Sequence, residues 1–147
     1  MKNILKTYFE LRQILVKNKL QELEIRSETL ALISPMHQLK EFKTLNLDFG
    51  RQTGSTYFML DWLTKDNNIN ETVVYIHSLI QEKEYKKILI EQGFNNPIFC
   101  HYRNYDGIDK SLYKYVIVDM SACVKNQDLK NINKYWAINN LKLMIHI

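Results

Sequence analysis

At 147 residues and 17.6 kDa the chain has the size of one domain with a real core, and 46% hydrophobic against 24% charged residues excludes a disordered chain. No apolar run approaches bilayer length, and Glu10 and Arg12 interrupt the first sixteen residues where a signal peptide needs an unbroken apolar stretch. Two cysteines, Cys100 and Cys123, give no disulfide framework and suit a reducing cytoplasm.

The charge is uneven. Residues 1–20 hold Lys2, Lys6, Arg12, Lys17 and Lys19 against Glu10 alone, which accounts for the whole formal net charge of +4. The expectation is a basic arm on a neutral body. Lysine outnumbers arginine 16 to 4, and asparagine, isoleucine and tyrosine are common. That bias follows from an AT-rich genome and points toward a virus or mobile element.

Residues 1–43 read as a helical N-terminal extension. Ile4, Tyr8, Leu11 and Leu15 recur at helical spacing and predict one apolar stripe, with Lys2, Lys6, Gln13 and Lys17 on the other side. Arg12 and Lys19 break that division. A second helix is expected over 22–33. A third begins at "SPMHQLKEF", with Ser34 as cap and Pro35 in the first helical position.

From Thr44 the pattern changes to short strands alternating with helices. "TLNLDF" predicts a strand, Gly50–Thr56 a loop and "TYFMLDWLTK" a helix; "ETVVYIHS" predicts the next strand. A helix over "LIQEKEYKKILIEQG" should stop at Gly93. "PIFCHY" and "YKYVIVDM" read as strands, "DLKNINKYWAIN" as a helix and "LKLMIHI" as a last strand. Such alternation predicts an α/β fold over 44–147 with a mostly parallel sheet flanked by helices, because parallel strands need crossovers. The extension and this unit make one compact domain.

The loop carries the chemistry. A phosphate-binding loop, G-x-x-x-x-G-K-[ST] between strand and helix, surrounds phosphate with backbone N–H groups, neutralises it with lysine and binds Mg²⁺ through the hydroxyl. Here Gly54 holds the last glycine position and Thr56 the hydroxyl position, but Ser55 replaces lysine and Phe49 falls at the first glycine position. The candidate binding residues are Gly50, Arg51, Gln52, Thr53, Gly54, Ser55 and Thr56. An ordinary Gly-Ser-Thr helix cap is the alternative reading. Asp119, ending the apolar strand "YVIVDM", is the candidate partner for Mg²⁺, and otherwise an acid at the turn after a buried strand.

With these motifs, "RQTGST" and "YVIVDM", the stretch from about Pro35 to Ile147 resembles the ATPase domain of viral terminase large subunits and related helicase-like P-loop proteins. Their loop reads R-Q-x-G-K-[ST], and "RQTGST" matches it except at Ser55. The resemblance implies a final strand lying between the loop strand and the aspartate strand. It assigns Gln38 of "HQLKEF" as a base contact, gives Arg51 no lysine-like role, and implies ATP and Mg²⁺ as cofactors with DNA translocation as the activity. Met120 stands where the catalytic glutamate belongs. Phosphoryl transfer rests on charge stabilisation and water positioning, so loss of lysine and glutamate predicts no hydrolysis and no catalytic residues.

Two function classes follow. One is a non-catalytic accessory or scaffold protein that uses the fold to bind a protein or nucleic acid. The other is a nucleotide-binding subunit of a translocating assembly whose site another chain completes. A third reading makes Lys2, Lys6, Lys17 and Lys19 a nucleic-acid contact, against the ordinary one of a solvated helix face. His77, Cys100, His101, Cys123 and His146 fall near the strand ends, but without metal-site spacing they predict buried thiols and imidazoles. "FCHYRNY" could stack on bases or simply be a strand and its exit loop. Trp62 and Trp136 are expected in the core.

Overall fold

The computed structural model describes residues 2–50, 52–95 and 97–147. Its centre is a five-stranded sheet: β1 (Thr44–Asn46), β2 (Thr72–Ile76), β3 (Ile98–His101), β4 (Tyr115–Val118) and β5 (Leu143–His146). All pairings are parallel, in the order β1-β5-β4-β2-β3. The last strand thus lies between the loop strand and the aspartate strand. Main-chain groups of β5 pair with β1 from Thr44↔Met144 to Asn46↔His146, and with β4 from Tyr115↔Leu143 to Val118↔His146.

Side chains alternate across the sheet, and both faces are covered, which is why β2 and β4 read as unbroken apolar runs. Val74, Ile76, Ile117, Leu143 and Ile145 face one core, shared with Val16 of α1 (Lys2–Ile25), Phe58, Met59 and Leu63 of α4 (Ser55–Thr64), and Tyr85 and Leu89 of α5 (Leu79–Glu91). Val73, Tyr75, Val116, Val118 and Met144 face the other, with Leu39 and with Ile132 and Trp136 of α6 (Asn126–Trp136). Trp136 is fully buried and donates to the Tyr75 hydroxyl, while Trp62 is half-buried against the first core. Gly93 adopts a positive φ of 89° just past α5, where a side chain would be strained. Among the described residues no helix is long and apolar enough to cross a membrane.

The N-terminal region departs from expectation in three ways. The first helix is one rod of 24 residues that reaches Ile25, and only α2 (Ser27–Leu30) follows where a second helix was expected over 22–33. Ser34 does cap α3 (Pro35–Gln38), accepting from His37 N–H, but the chain then widens into a π-helical turn over Leu39–Lys43. The third departure concerns orientation. Ile4 is 59% exposed and Leu11 40%, so these two positions of the predicted stripe face solvent, while Leu15 packs on the first core and the Tyr8 ring lies 5.8 Å from that of Phe49. The inward face carries Phe9, Arg12, Val16, Leu20 and Leu23, and a charged residue sits at its middle.

Candidate functional site

The loop leaves β1 at the carboxyl edge of the sheet. Leu47 N–H still donates to His146 C=O at 2.7 Å, extending the ladder by one bond. Two side-chain turns then bend the chain: Asp48 N–H donates to Asn46 Oδ1 at 2.9 Å, and Gly50 N–H to Asp48 Oδ1 at 3.0 Å. Gly50, Gln52 and Gly54 all have positive φ, 94°, 58° and 78°. Gly54 is the helix cap, and a Cβ there would meet only the tip of Leu5 at 3.9 Å, so its conformation rather than its space requires glycine. Helix α4 starts at Ser55, one residue earlier than the loop expected through Thr56. Its first-turn N–H groups lack helical acceptors and present a partial positive charge.

Arg12 holds this loop from behind. It is fully buried, and its guanidinium donates to Leu47 C=O at 3.1 Å, Thr53 C=O at 2.5 Å, Thr53 Oγ1 at 2.7 Å and Ser55 Oγ at 3.0 Å. The same group lies 4.8 Å from the centre of the Phe49 ring. Thr53 passes the network on by donating to Gly50 C=O at 2.9 Å. Burial lowers the arginine's pKa and Asp48 works the other way; a guanidinium remains charged throughout. Ser55, at the lysine position, is therefore hydrogen-bonded to a cation supplied by α1. Arg51 lies outside the described residues.

Across the cleft, Asp119 follows β4 and is 2% exposed. Its N–H donates to Tyr75 C=O, and its own C=O accepts from the Tyr102 hydroxyl. Burial raises its carboxyl pKa, opposed by hydrogen bonds from Met120 N–H and Tyr85 OH. The Tyr85 oxygen stands 3.4 Å from Thr56 Oγ1 and 3.4 Å from Asp119 Oδ2. A phenol oxygen thus lies within reach of both the hydroxyl and the carboxyl that the sequence expectation pairs through Mg²⁺. Met120 occupies the left-handed region at φ 51° and accepts from Gln81 Nε2 through sulfur.

The cleft between loop and Asp119 measures about 660 Å³ and is lined by Gly50, Gln52, Thr53, Gly54, Ser55 and Thr56 on one side, and by Tyr85, Asp119, Met120 and Ile147 on the other. The described residues of the sequence-derived set, Gly50, Gln52, Thr53, Gly54, Ser55, Thr56 and Asp119, are brought together there. Gln38 is not: it is buried among Leu30 C=O, Ile33 C=O and Asn139, beside a different cavity, because it is spent on capping the turns around it. On α1, Lys6 and Lys17 are exposed and Lys19 is half-buried; Lys6 pairs with Glu10 at 3.7 Å, and the Lys2 side chain lies outside the described atoms. His77, Cys100, His101 and His146 lie in or next to the carboxyl ends of the strands and Cys123 in the short turn Ser121–Cys123 beyond β4, and among the described residues no group of three or more His, Cys, Asp or Glu side chains gathers. Burial lowers the pKa of His146 and raises that of Cys100.

Arg12 and Tyr85 are the residues that sequence reasoning missed. For Arg12 the signal was present: it interrupts the apolar positions Phe9, Val16, Leu20 and Leu23. For Tyr85 the spacing to Leu89 marked a buried helix face but not what its hydroxyl would meet.

Asp119 carries a pH prediction. The folded state holds the proton to a higher pH than the unfolded chain, whose carboxyl has its ordinary value of 3.8. Any stability this group contributes is therefore present at low pH and is lost as pH rises through the raised folded value. Asp119→Asn, which keeps an acceptor for Met120 N–H, is expected to be more stable than the parent near neutrality. The gap should close as pH falls below the ordinary carboxyl value in paired urea titrations.

The fold and cleft define a parallel α/β domain with a glycine-bearing loop and a buried acid at its carboxyl edge. Comparison with known families, curated proteins and solved structures gives no match for this chain.

Proposed function

We propose that the chain is a non-catalytic accessory or scaffold protein, of viral or mobile-element type, built on a degenerate P-loop fold and acting through a protein or nucleic-acid partner. One observation carries this reading: the two positions needed for phosphoryl transfer are filled from within. Arg12 engages Ser55 behind the loop, and Tyr85 stands between Thr56 and Asp119. Positive charge directed at a transferred phosphoryl group and a divalent cation are the large terms in such catalysis, and the described residues at these two positions are engaged with one another instead. Of the described lysines on α1, Lys6 and Lys17 are exposed and Lys19 is half-buried, and Lys6 already pairs with Glu10. A protein partner is the better-supported choice.

The second reading, a nucleotide-gated subunit completed by another chain, draws on the open cleft of about 660 Å³ in front of the N-terminus of α4. Thermal unfolding with ATP or GTP, with and without Mg²⁺, separates the two, since a ligand that binds only the folded state raises the apparent Tm. The scaffold reading expects no shift and no hydrolysis above background. A shift without turnover would favour the gated subunit. Turnover lost in both Thr56→Ala and Asp119→Ala would overturn both.

A further inference from the structure

A second cavity, of about 750 Å³, lies at the amino ends of the strands, at the opposite end of the sheet from the loop. Its wall is aliphatic where Leu20, Leu23, Leu30 and Leu141 meet. Into that wall the π-helical turn Leu39–Lys43 delivers a lysine. Lys43 is only 8% exposed, and its ammonium has one long hydrogen bond, 3.4 Å to Asn139 C=O, for three donors. Among the described residues no carboxylate pairs with it; Glu24, on the rim, is exposed and reaches no ion-pair distance.

Such a group is costly to keep. A buried charge without a partner destabilises a fold, and most lysines escape by extending the head into water. Burial here lowers the pKa of Lys43, and no neighbouring group offsets that effect. The turn that places it is also uncommon, since π-helical turns are rare and concentrate at functional sites. A cavity of this size, with one aliphatic wall, a buried Lys43 and polar groups of Ser27, Asn139 and the exposed Lys142 elsewhere on its lining, has the composition of a small-molecule site.

We propose that this cavity binds a small carboxylate with an aliphatic tail, the carboxylate on the Lys43 ammonium and the tail along Leu20, Leu23, Leu30 and Leu141. The aliphatic wall selects the tail and the unpaired cation selects the head. The site is separate from the loop cleft and does not depend on the scaffold reading.

Calorimetric titration of the full chain with sodium octanoate, sodium acetate and 1-octanol tests both halves. Octanoate is expected to saturate with a Kd at or below about 1 mM, with octanol and acetate each weaker by roughly tenfold or more, the loss expected for one charge-assisted contact or for the tail. Lys43→Met, which keeps the stem and removes the charge, should weaken octanoate by roughly tenfold and leave octanol unchanged. Lys43→Arg should retain binding, and Leu23→Trp should block all three ligands. Absence of a saturable signal with octanoate would overturn the proposal. So would equal binding of octanoate and octanol by the unmodified protein, a comparison that needs no variant, or undiminished octanoate binding by folded Lys43→Met.

Discussion

Arg12→Ala is expected to lower the stability of the protein by about 3 kcal/mol or more, although the residue lies on a helix remote in sequence from the loop it holds. The substitution removes hydrogen bonds from a charged donor to Leu47, Thr53 and Ser55 and leaves two buried carbonyls without a partner. Each such loss costs about 1–3 kcal/mol. Arg12→Met should fare little better, since the stem is kept but the carbonyls stay orphaned. Arg12→Lys is no rescue, because one ammonium cannot span acceptors that a planar fork reaches together. Urea unfolding checks this directly: the midpoint should fall in all three variants with little change in slope. A variant within about 0.5 kcal/mol of the parent would mean that water replaces the guanidinium and that the loop keeps its shape without it.

The largest effect is expected from removing residues 141–147. Chain ends are usually dispensable, but here the segment is an inner strand. Leu141, Leu143, Met144 and Ile145 are at most 1% exposed, and β5 pairs on both sides. Its loss strips the ladder from β1 and β4 and opens both cores, so the truncated chain should show no cooperative melt and reduced ordered circular dichroism. A cooperative transition near the parent's would contradict the sheet order.

The body of the fold was legible in the sequence because its signals are local. Val116, Ile117 and Val118 form an unbroken apolar run that only a doubly covered strand accommodates, and Gly93 marks the end of α5 by its own backbone preference. The loop and Asp119 were legible for the same reason, as turn residues next to apolar strands. What remained hidden is long-range. Helix α1 carries apolar residues on two sides, Ile4, Leu11 and Ile14 outward and Phe9, Val16 and Leu23 inward, so periodicity could not say which side faces the sheet. The decisive residue was the charged one, and a hydrophobicity pattern discounts it. Tyr85 was hidden because its partners, Thr56 and Asp119, come from two other elements. The widened turn that buries Lys43 leaves no trace in local propensity either.

The position of β5 also sets a timetable for the making of this protein. Thr44 finds its strand partner in Met144, a hundred positions later. Bringing such distant segments together is slow, because the loop-closure entropy is lost before the contact rewards it. On a ribosome, β2, β3 and β4 can pair while synthesis continues, but β1 has no edge to join until Leu143–His146 has emerged. Until then the strand that anchors the glycine loop is unpaired, and the acceptors that Arg12 needs are not yet assembled. The nascent chain therefore has a long interval in which a buried cation and an apolar strand are both exposed, the circumstance in which chaperones engage a protein.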